Sequence, residues 1–436
     1  MSYGVMVAQQ VLVLFVLVRI QVGQHNKRRA CSPFIVSERN VKSPMIDNNT
    51  IEFIKEHRSD DIRSLALQAK RYNGIDMSKA LCQIEGWQLA QQKLPSWAAT
   101  DGIIYPVRIS MEQCSSEATS QYKASLMQGE EFADLTGGFG IDCSYISKQF
   151  THATYIERNT DLCDIAKHNF ALLKLDNIQV VNSNSEEALA SLPFCDWIFI
   201  DPARRSNTGG KVVALSDCEP DITELEERIF DRCNRIMVKC SPMLDITAAC
   251  RQLKRVAQVH VVAVNNECKE LLLILDKREN NQEPMLHCIN ITKDGKQSFT
   301  SPLNLNGSIQ YARQLDEYLY EPNAAIQKAG CHTALSQSAK VEKLHPNSNL
   351  YTSAEFIKDF PGRVFRIEEW ATFSKNEIKE LLKGIEKANI TVRNFPDTVQ
   401  VLRKRLKIAE GGDIYLFATT LANEKKVLVK CSKIMQ

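Results

Sequence analysis

The stretch "EFADLTGGFGIDCSYI" (131–146) decides how the chain is read. A short run of apolar and small residues leads into Asp134. Thr136 and the glycines Gly137, Gly138 and Gly140 follow, and then a segment with helical spacing. A strand that ends in glycine and opens a helix is a nucleotide cradle.

Outward from that cradle, strand and helix alternate. "EFADL" precedes a helix over 141–149, "ATYIE" one over 161–173 and "IQVVN" one over 186–191. "WIFID" is followed by a long loop and a helix over 222–234, and "IMVKC" by a helix over 246–256. The strands "QVHVVAV" and "ELLLIL", separated by "NNECK", close the series as a hairpin. Such alternation predicts parallel strands with helices on both faces, and the hairpin predicts one antiparallel strand.

Upstream, residues 51–99 repeat apolar positions every three or four residues, a helical leader whose Trp87 and Trp97 read as core packing. Residues 102–127 give a short extended piece and a polar-capped helix. Downstream, 277–362 turns polar and loop-rich, with hairpin signals "TKDGK" and "HPNSN". The last segment is regular again: strand "RVFRIEEW", helix "SKNEIKELLKGIEKA", strand "ITVRNF", helix "DTVQVLRKRLKIA" and hairpin strands "DIYLFATT" and "KVLVKC". Ser374 and Glu377 make a capping box for the first of these helices. The expected organisation is a helical N-terminal domain over 45–128, a nucleotide-binding domain over 129–278, a small irregular α+β insert or linker over 279–362 and an α/β domain over 363–436.

The 436 residues exceed one ordinary core, and 44% hydrophobic with 24% charged residues is a globular composition. A formal net charge of +2 excludes an overall polyanion-binding bias, so any basic surface is local. The 14 cysteines include no C-x-x-C pair and read as reduced thiols of a cytoplasmic protein rather than a disulfide or metal framework. Residues 5–22, "VMVAQQVLVLFVLVRIQV", carry no basic residue ahead of the apolar run, and Arg19 interrupts it short of spanning length. We read 1–44 as a non-native upstream extension ahead of a start at Met45, where Asn49 or Thr50 caps the first helix; a membrane anchor is the alternative.

The ligand follows by elimination. A triphosphate cradle needs Lys and Ser or Thr after the last glycine, and Gly140 is followed by Ile141 and Asp142. A dinucleotide turn needs G-x-G-x-x-G, and no third glycine stands in place. Asp134 and Asp142 would repel a pyrophosphate but suit a cationic, phosphate-free ligand such as S-adenosylmethionine. Glu157, in "YIERN", stands where an acid accepts bonds from both ribose hydroxyls. In "WIFIDPARR", Asp201 and Pro202 fall at the carboxyl edge of the sheet, beside the reversal of strand order.

"DPAR" resembles the D/N-P-P-Y/F signature of class I adenosylmethionine methyltransferases acting on exocyclic amines, and residues 134–275 look like such a domain. With "MEQCSSEATSQYKA", "DLTGGFG", "DPARR", "KCSPMLDI" and the C-terminal segment, nearly everything after Met45 resembles bacterial methyltransferases carrying a THUMP-like C-terminal domain. The resemblance implies a Rossmann-like sheet, a methyltransferase, S-adenosylmethionine as cofactor and tRNA or rRNA as substrate, with no metal and no membrane. It implies cofactor contacts from Asp134, Thr136, Gly137, Gly138, Gly140, Glu157 and Arg158, with Asn184 and Ser185 near the adenine edge. Asp201 and the Pro202 carbonyl would bond the amine being methylated. Arg204 holds the place of the usual base-stacking aromatic, and a guanidinium plane also stacks on a base or bonds a phosphate.

Arg205 and Lys239 are further substrate candidates, although Lys239 serves equally as a salt-bridge partner and Asp201 as a loop cap. Glu219 and Asp221 are a helix cap or a proton acceptor. Cys240 precedes "SP" and is a poor candidate nucleophile, and Cys143 and Cys195 read as buried filler. Arg403, Lys404 and Arg405 lie in "RKRLK"; residues 363–436 hold fifteen Lys and Arg against nine Asp and Glu. That surplus is the local hint of RNA. The rivals are a protein or small-molecule methyltransferase and a non-catalytic RNA-binding scaffold.

Overall fold

The computed structural model describes residues 46–204, 214–278, 283–305 and 307–434. The expectation for residues 1–44 lies outside them. The chain divides at Leu305 into two compact units.

In the first unit, the leader forms α1 (Asn48–His57), α2 (Ile62–Gln68) and α3 (Met77–Lys93). An aspartate caps each: Asp47 accepts from Thr50 N, Asp61 from Ser64 N and Asp76 from Lys79 N. The first cap is thus Asp47 rather than Asn49 or Thr50, because Thr50 spends both its N–H and its hydroxyl on that carboxylate. Trp97 is buried and meets Phe139 of the glycine turn edge-on at 5.1 Å, and Trp87 Nε1 donates to Ala98 O at 3.1 Å. Both tryptophans are core packing. Helices α4 (Arg108–Gln113) and α5 (Glu117–Ala124) then lead into the sheet.

The strands are β1 (Gly129–Asp134), β2 (Phe150–Glu157), β3 (Ile178–Asn182), β4 (Cys195–Ile200), β5 (Cys233–Cys240), β6 (Val256–Val264), β7 (Glu267–Asp276), β8 (Met285–Thr292) and β9 (Gly295–Pro302). They stand in the order β9-β8-β6-β7-β5-β4-β1-β2-β3. β1 pairs in parallel with both β2 and β4, so strand order reverses at its carboxyl end. β7 runs antiparallel to β5 and β6, as the closing hairpin requires. Helices α6 (Ile141–Ile146), α7 (Thr160–Leu172), α8 (Ser185–Ser191), α9 (Ile222–Phe230) and α10 (Ile246–Gln252) follow β1 to β5 in turn. α9 stops at Phe230, short of the expected 234, because β5 begins at Cys233.

Residues 279–362 were expected to be irregular, yet they contribute β8 and β9 to this sheet. β8 lies parallel to β6, and β9 returns antiparallel through "TKDGK". The apolar signal of β8 is diluted because only Leu286, Cys288, Ile289 and Asn290 are buried among its eight residues.

The second unit has β10 (Tyr318–Pro322), α11 (Ala324–Ala329), α12 (His332–Ala339), β11 (Glu342–His345), β12 (Ser348–Ser353), β13 (Gly362–Thr372), α13 (Lys375–Leu381), β14 (Asn389–Arg393), α14 (Val399–Leu406), β15 (Ile414–Thr420) and β16 (Lys426–Ile434). Its seven strands are ordered β11-β12-β10-β13-β16-β15-β14. α13 ends well before the expected 388, with Gly384 at φ +78 in the turn beyond it, and Lys407 at φ +56 closes α14. Among the described residues no helix is long and apolar enough to cross a membrane.

Candidate active site

The glycine turn is built by two different demands. Gly138 (φ +53) and Gly140 (φ +84) take left-handed backbone that disfavours a side chain. Gly137 is a matter of space, since a Cβ there would sit 2.2 Å from Tyr155 Cε2. Gly138 faces open room, where a Cβ would meet only Thr136 O at 3.8 Å. Leu135 N donates to Phe199 O at 3.0 Å and Gly137 N to Ile156 O at 2.8 Å, lashing the turn to both neighbouring strands. Glu157, at the end of β2, accepts from Gly138 N at 2.9 Å and from Asn159 N at 2.8 Å.

Asp134 and Asp142 flank this turn in opposite electrostatic states. Asp134 is buried, and its carboxylate accepts from Thr136 N at 3.0 Å. Burial raises its pKa well above the ordinary 3.8, the Thr136 bond opposes this, and Asp142, Asp201 and Glu157 push it further up. Asp142 is buried as well, and burial pulls its pKa upward. Lys123 and then Lys239, with the Ser120 and Ser115 hydroxyls, overcome that pull and hold it below 3.8.

The partners of Asp142 form a chain of charge. Lys123 Nζ, on α5, lies 3.1 Å from Asp142 Oδ1 and donates to both Glu270 oxygens at 2.7 and 2.8 Å. Ser115 and Ser120 donate to Asp142 at 2.7 and 2.6 Å. Lys239 Nζ, at the end of β5, lies 3.7 Å from Asp142 Oδ2 and donates to Asp201 in a close ion pair. Burial lowers the Lys239 pKa, but Asp201, Asp142 and Glu270 outweigh it and hold the ammonium charged. Thr136 Oγ1 accepts from Asp201 N at 2.7 Å, joining the glycine turn to the "DPAR" corner.

The glycine turn, Asp142 and the "DPAR" corner border one cavity of about 940 Å³. Asp134, Thr136, Gly137, Gly138, Gly140, Glu157, Arg158, Asn184, Ser185, Asp201 and Lys239 all line it. Arg158 pairs with Glu219 at 2.7 Å. Asn184 caps α8 by accepting from Glu187 N at 2.8 Å, and Ser185 Oγ donates to Leu135 O at 2.7 Å, so both side chains are engaged in fixing the wall. Ala203, rather than Pro202, is on the cavity side of the corner. The Arg204 backbone pairs with Cys218 in a two-residue ribbon, and Arg205 lies outside the described residues. Asp221 accepts from Thr223 N at 2.9 Å and is a helix cap. Cys143, Cys195 and Cys240 are buried, with thiols pushed up by burial. Among the described residues no group of three His, Cys, Asp or Glu is arranged to hold a metal.

Arg403, Lys404 and Arg405 stand apart on α14 of the second unit. Arg403 donates to Ala388 O at 3.3 Å, Arg405 pairs with Asp397 at 3.3 Å, and Lys404 is exposed.

The sequence reading missed Lys123, Ser115, Ser120 and Glu270, and it missed the cavity wall supplied by Ser110, Gln113 and Cys114. Two signals were available. Lys123 is charged on the same helical face as Thr119 and Ser120, and Glu270 directly precedes the apolar run 271–275 of β7.

Residues 362–433 match a family described as THUMP domain-like, and residues 318–361 match a ferredoxin-like domain. No curated protein matches the chain. Among solved structures, a protein of Porphyromonas gingivalis W83 assigned as a methyltransferase is 34% identical, with 90% of this chain and 100% of that one covered at a TM-score of 0.81. A class I S-adenosylmethionine-dependent methyltransferase, so assigned, from Listeria monocytogenes is 10% identical over 55% of this chain and 91% of its own, at 0.35. An rRNA methylase from Streptococcus thermophilus is 14% identical over 37% and 95%, at 0.28. The last two scores are too low to bear on function, whereas the first spans both units at substantial identity. The chain belongs to the family of the Porphyromonas protein, class I methyltransferases with a THUMP-like C-terminal domain, and is an enzyme of methyl transfer.

Proposed function

We propose that the protein transfers a methyl group from S-adenosylmethionine to RNA. The observation that carries the reading is the single cavity joining the glycine turn to Asp201 and Lys239, with the Thr136 hydroxyl bonded across the two halves.

The residues present fit the donor. The open backbone at Gly138 gives room for it, and the buried Asp134 answers a cationic amino acid end. Glu157 keeps carboxylate lone pairs for ribose hydroxyls beyond the two backbone bonds it accepts. Arg158, Asn184 and Ser185 would border the adenine. When bound, the donor supplies a methyl group already activated on a positively charged sulfur. The chain's own task is then to orient an acceptor, exclude water and receive a proton. Asp201 is the acceptor-side carboxylate. The "DPAR" pattern by itself favours a base amine of tRNA or rRNA as acceptor.

RNA as substrate is supported by the THUMP-like match and by the surplus of basic residues over 363–436. Arg403, Lys404 and Arg405 are the proposed phosphate contacts. The test is transfer of labelled methyl by the purified protein to total RNA and total protein from a strain lacking the gene. Label in the RNA is expected; label confined to protein or small molecules overturns the reading.

A further inference from the structure

Lys239 does not behave as a free phosphate-binding lysine. Its side chain is 12% exposed, it forms the close ion pair with Asp201, and Asp142 approaches from the other side. An ammonium has three N–H donors, and this one sits on the cavity wall with at least one N–H beyond the Asp201 bond. Next to the proposed acceptor carboxylate there is therefore a fixed positive donor.

The pair discriminates between acceptor atoms. An exocyclic base amine offers N–H donors, its lone pair is drawn into the ring, and it gains positive charge as it is methylated. Asp201 suits it, but Lys239 presents a second donor and a like charge. A hydroxyl oxygen donates and accepts at once. It can give its hydrogen to Asp201 and take one from Lys239, and the negative charge that develops on oxygen is stabilised by the ammonium. RNA carries such a hydroxyl on every nucleotide, at the ribose 2′ position.

We propose that the acceptor is the ribose 2′-hydroxyl of RNA, with Asp201 and Lys239 as the catalytic pair. This rests on the RNA reading above and departs from the base amine suggested by the "DPAR" pattern. In the step, the hydroxyl proton passes to Asp201 and on to solvent. The oxygen forms the new C–O bond, and the methyl–sulfur bond breaks with its electron pair staying on sulfur as a neutral thioether. Lys123, Asp142 and Glu270 are positioning residues. Lys123 holds Asp142, which flanks Lys239, and Glu270 neutralises Lys123.

The experiment is labelled transfer by the wild-type full-length protein to RNA from a strain lacking the gene, followed by alkaline hydrolysis and nucleoside mass spectrometry. Label in alkali-resistant dinucleotides, with the mass on the ribose fragment, is expected. Label on a base overturns the hydroxyl acceptor while leaving RNA methylation standing; no label in RNA nucleosides overturns both. Lys239→Met and Lys239→Arg supply a second readout. The Met variant is expected to lose at least ~100-fold in kcat, with calorimetric adenosylmethionine affinity within about threefold of wild type. The Arg variant, which keeps the charge, is expected to recover part of that loss. A Met variant with wild-type kcat overturns the role of Lys239; the wild-type nucleoside analysis decides the acceptor even if that variant fails to fold.

Discussion

Asp134 and Asp142 are eight residues apart, both buried, and border the same cavity, yet one is driven toward the neutral acid and the other held as an anion. The difference lies in what the fold delivers to each. Asp134 receives a backbone N–H and the repulsion of three other carboxylates. Asp142 receives two lysines and two serine hydroxyls, each from an element distant in sequence. A buried carboxylate is thus a poised acid at the proposed donor end of the cavity and a structural ion at the proposed acceptor end. Sequence position alone does not say which.

The largest expected effect lies at the acceptor end. Asp201→Asn should lower kcat by about 10²–10⁴-fold, by removing the proposed proton acceptor, with little change in adenosylmethionine affinity. Single-turnover kinetics beside calorimetry will separate the two, and an unchanged kcat would erase the functional contrast between the ends. Next comes the structural ion. Lys123→Met leaves Asp142 and Glu270 without their buried cation and should cost about 3–5 kcal/mol in urea denaturation. Restoring neutrality with Lys123→Met and Glu270→Leu together should return much of it, because only Asp142 then stays short of a partner.

At the donor end, Gly137→Ala drives a methyl into the Tyr155 ring and should cost about 1–3 kcal/mol. Smaller still, and opposite in sign at the two ends, are the effects of pH. Asp142, with its folded pKa below 3.8, contributes stability that is present above that value and is lost as pH falls below it. Asp134, with its folded pKa raised, disfavours the fold progressively as pH climbs from 3.8 to its folded value. Asp134→Asn should therefore raise stability at neutral pH and flatten the profile above pH 4, and Asp142→Asn should lower stability at neutral pH and flatten the profile below pH 4; urea titrations at about pH 2, 4 and 7 test both. Binding of a cation beside Asp134 should also release up to one proton, read as a buffer-dependent calorimetric enthalpy. The smallest change is at the second unit, where Lys404→Glu should weaken RNA binding modestly and lower the salt slope by about one.

Much of this fold was legible in local pattern. The five strand–helix alternations and the hairpin of β6 and β7 could be read because buried parallel strands are continuous apolar runs with clear breaks. The turns of the β8–β9 and β11–β12 hairpins were marked by "TKDGK" and "HPNSN", but the extent of these strands and the whole of β10 were not, since strands with polar residues on one face carry little signal. At the site, the residues contributed by the turn itself, Asp134 to Gly140, were visible because the backbone demands glycine there. The local signals at Lys123 and Glu270 did not reveal their pairing, because groups 147 residues apart meet only in the fold. Asn184 and Ser185 were expected beside the adenine and line the cavity, but their side-chain bonds serve the helix cap and the turn.

The Lys123–Glu270 bond joins groups 147 residues apart. Because a strand so late in the chain supplies the second countercharge, the first half of the molecule emerges during synthesis with Asp142 as the nearer partner of Lys123 and without Glu270. Helix α5 can meet Asp142 early, but it gains its second anionic partner, Glu270, only once β7 has docked. An amino-terminal fragment ending before β7 would carry the entire glycine turn, Asp201 and Lys239 and still lack the Glu270 that neutralises Lys123.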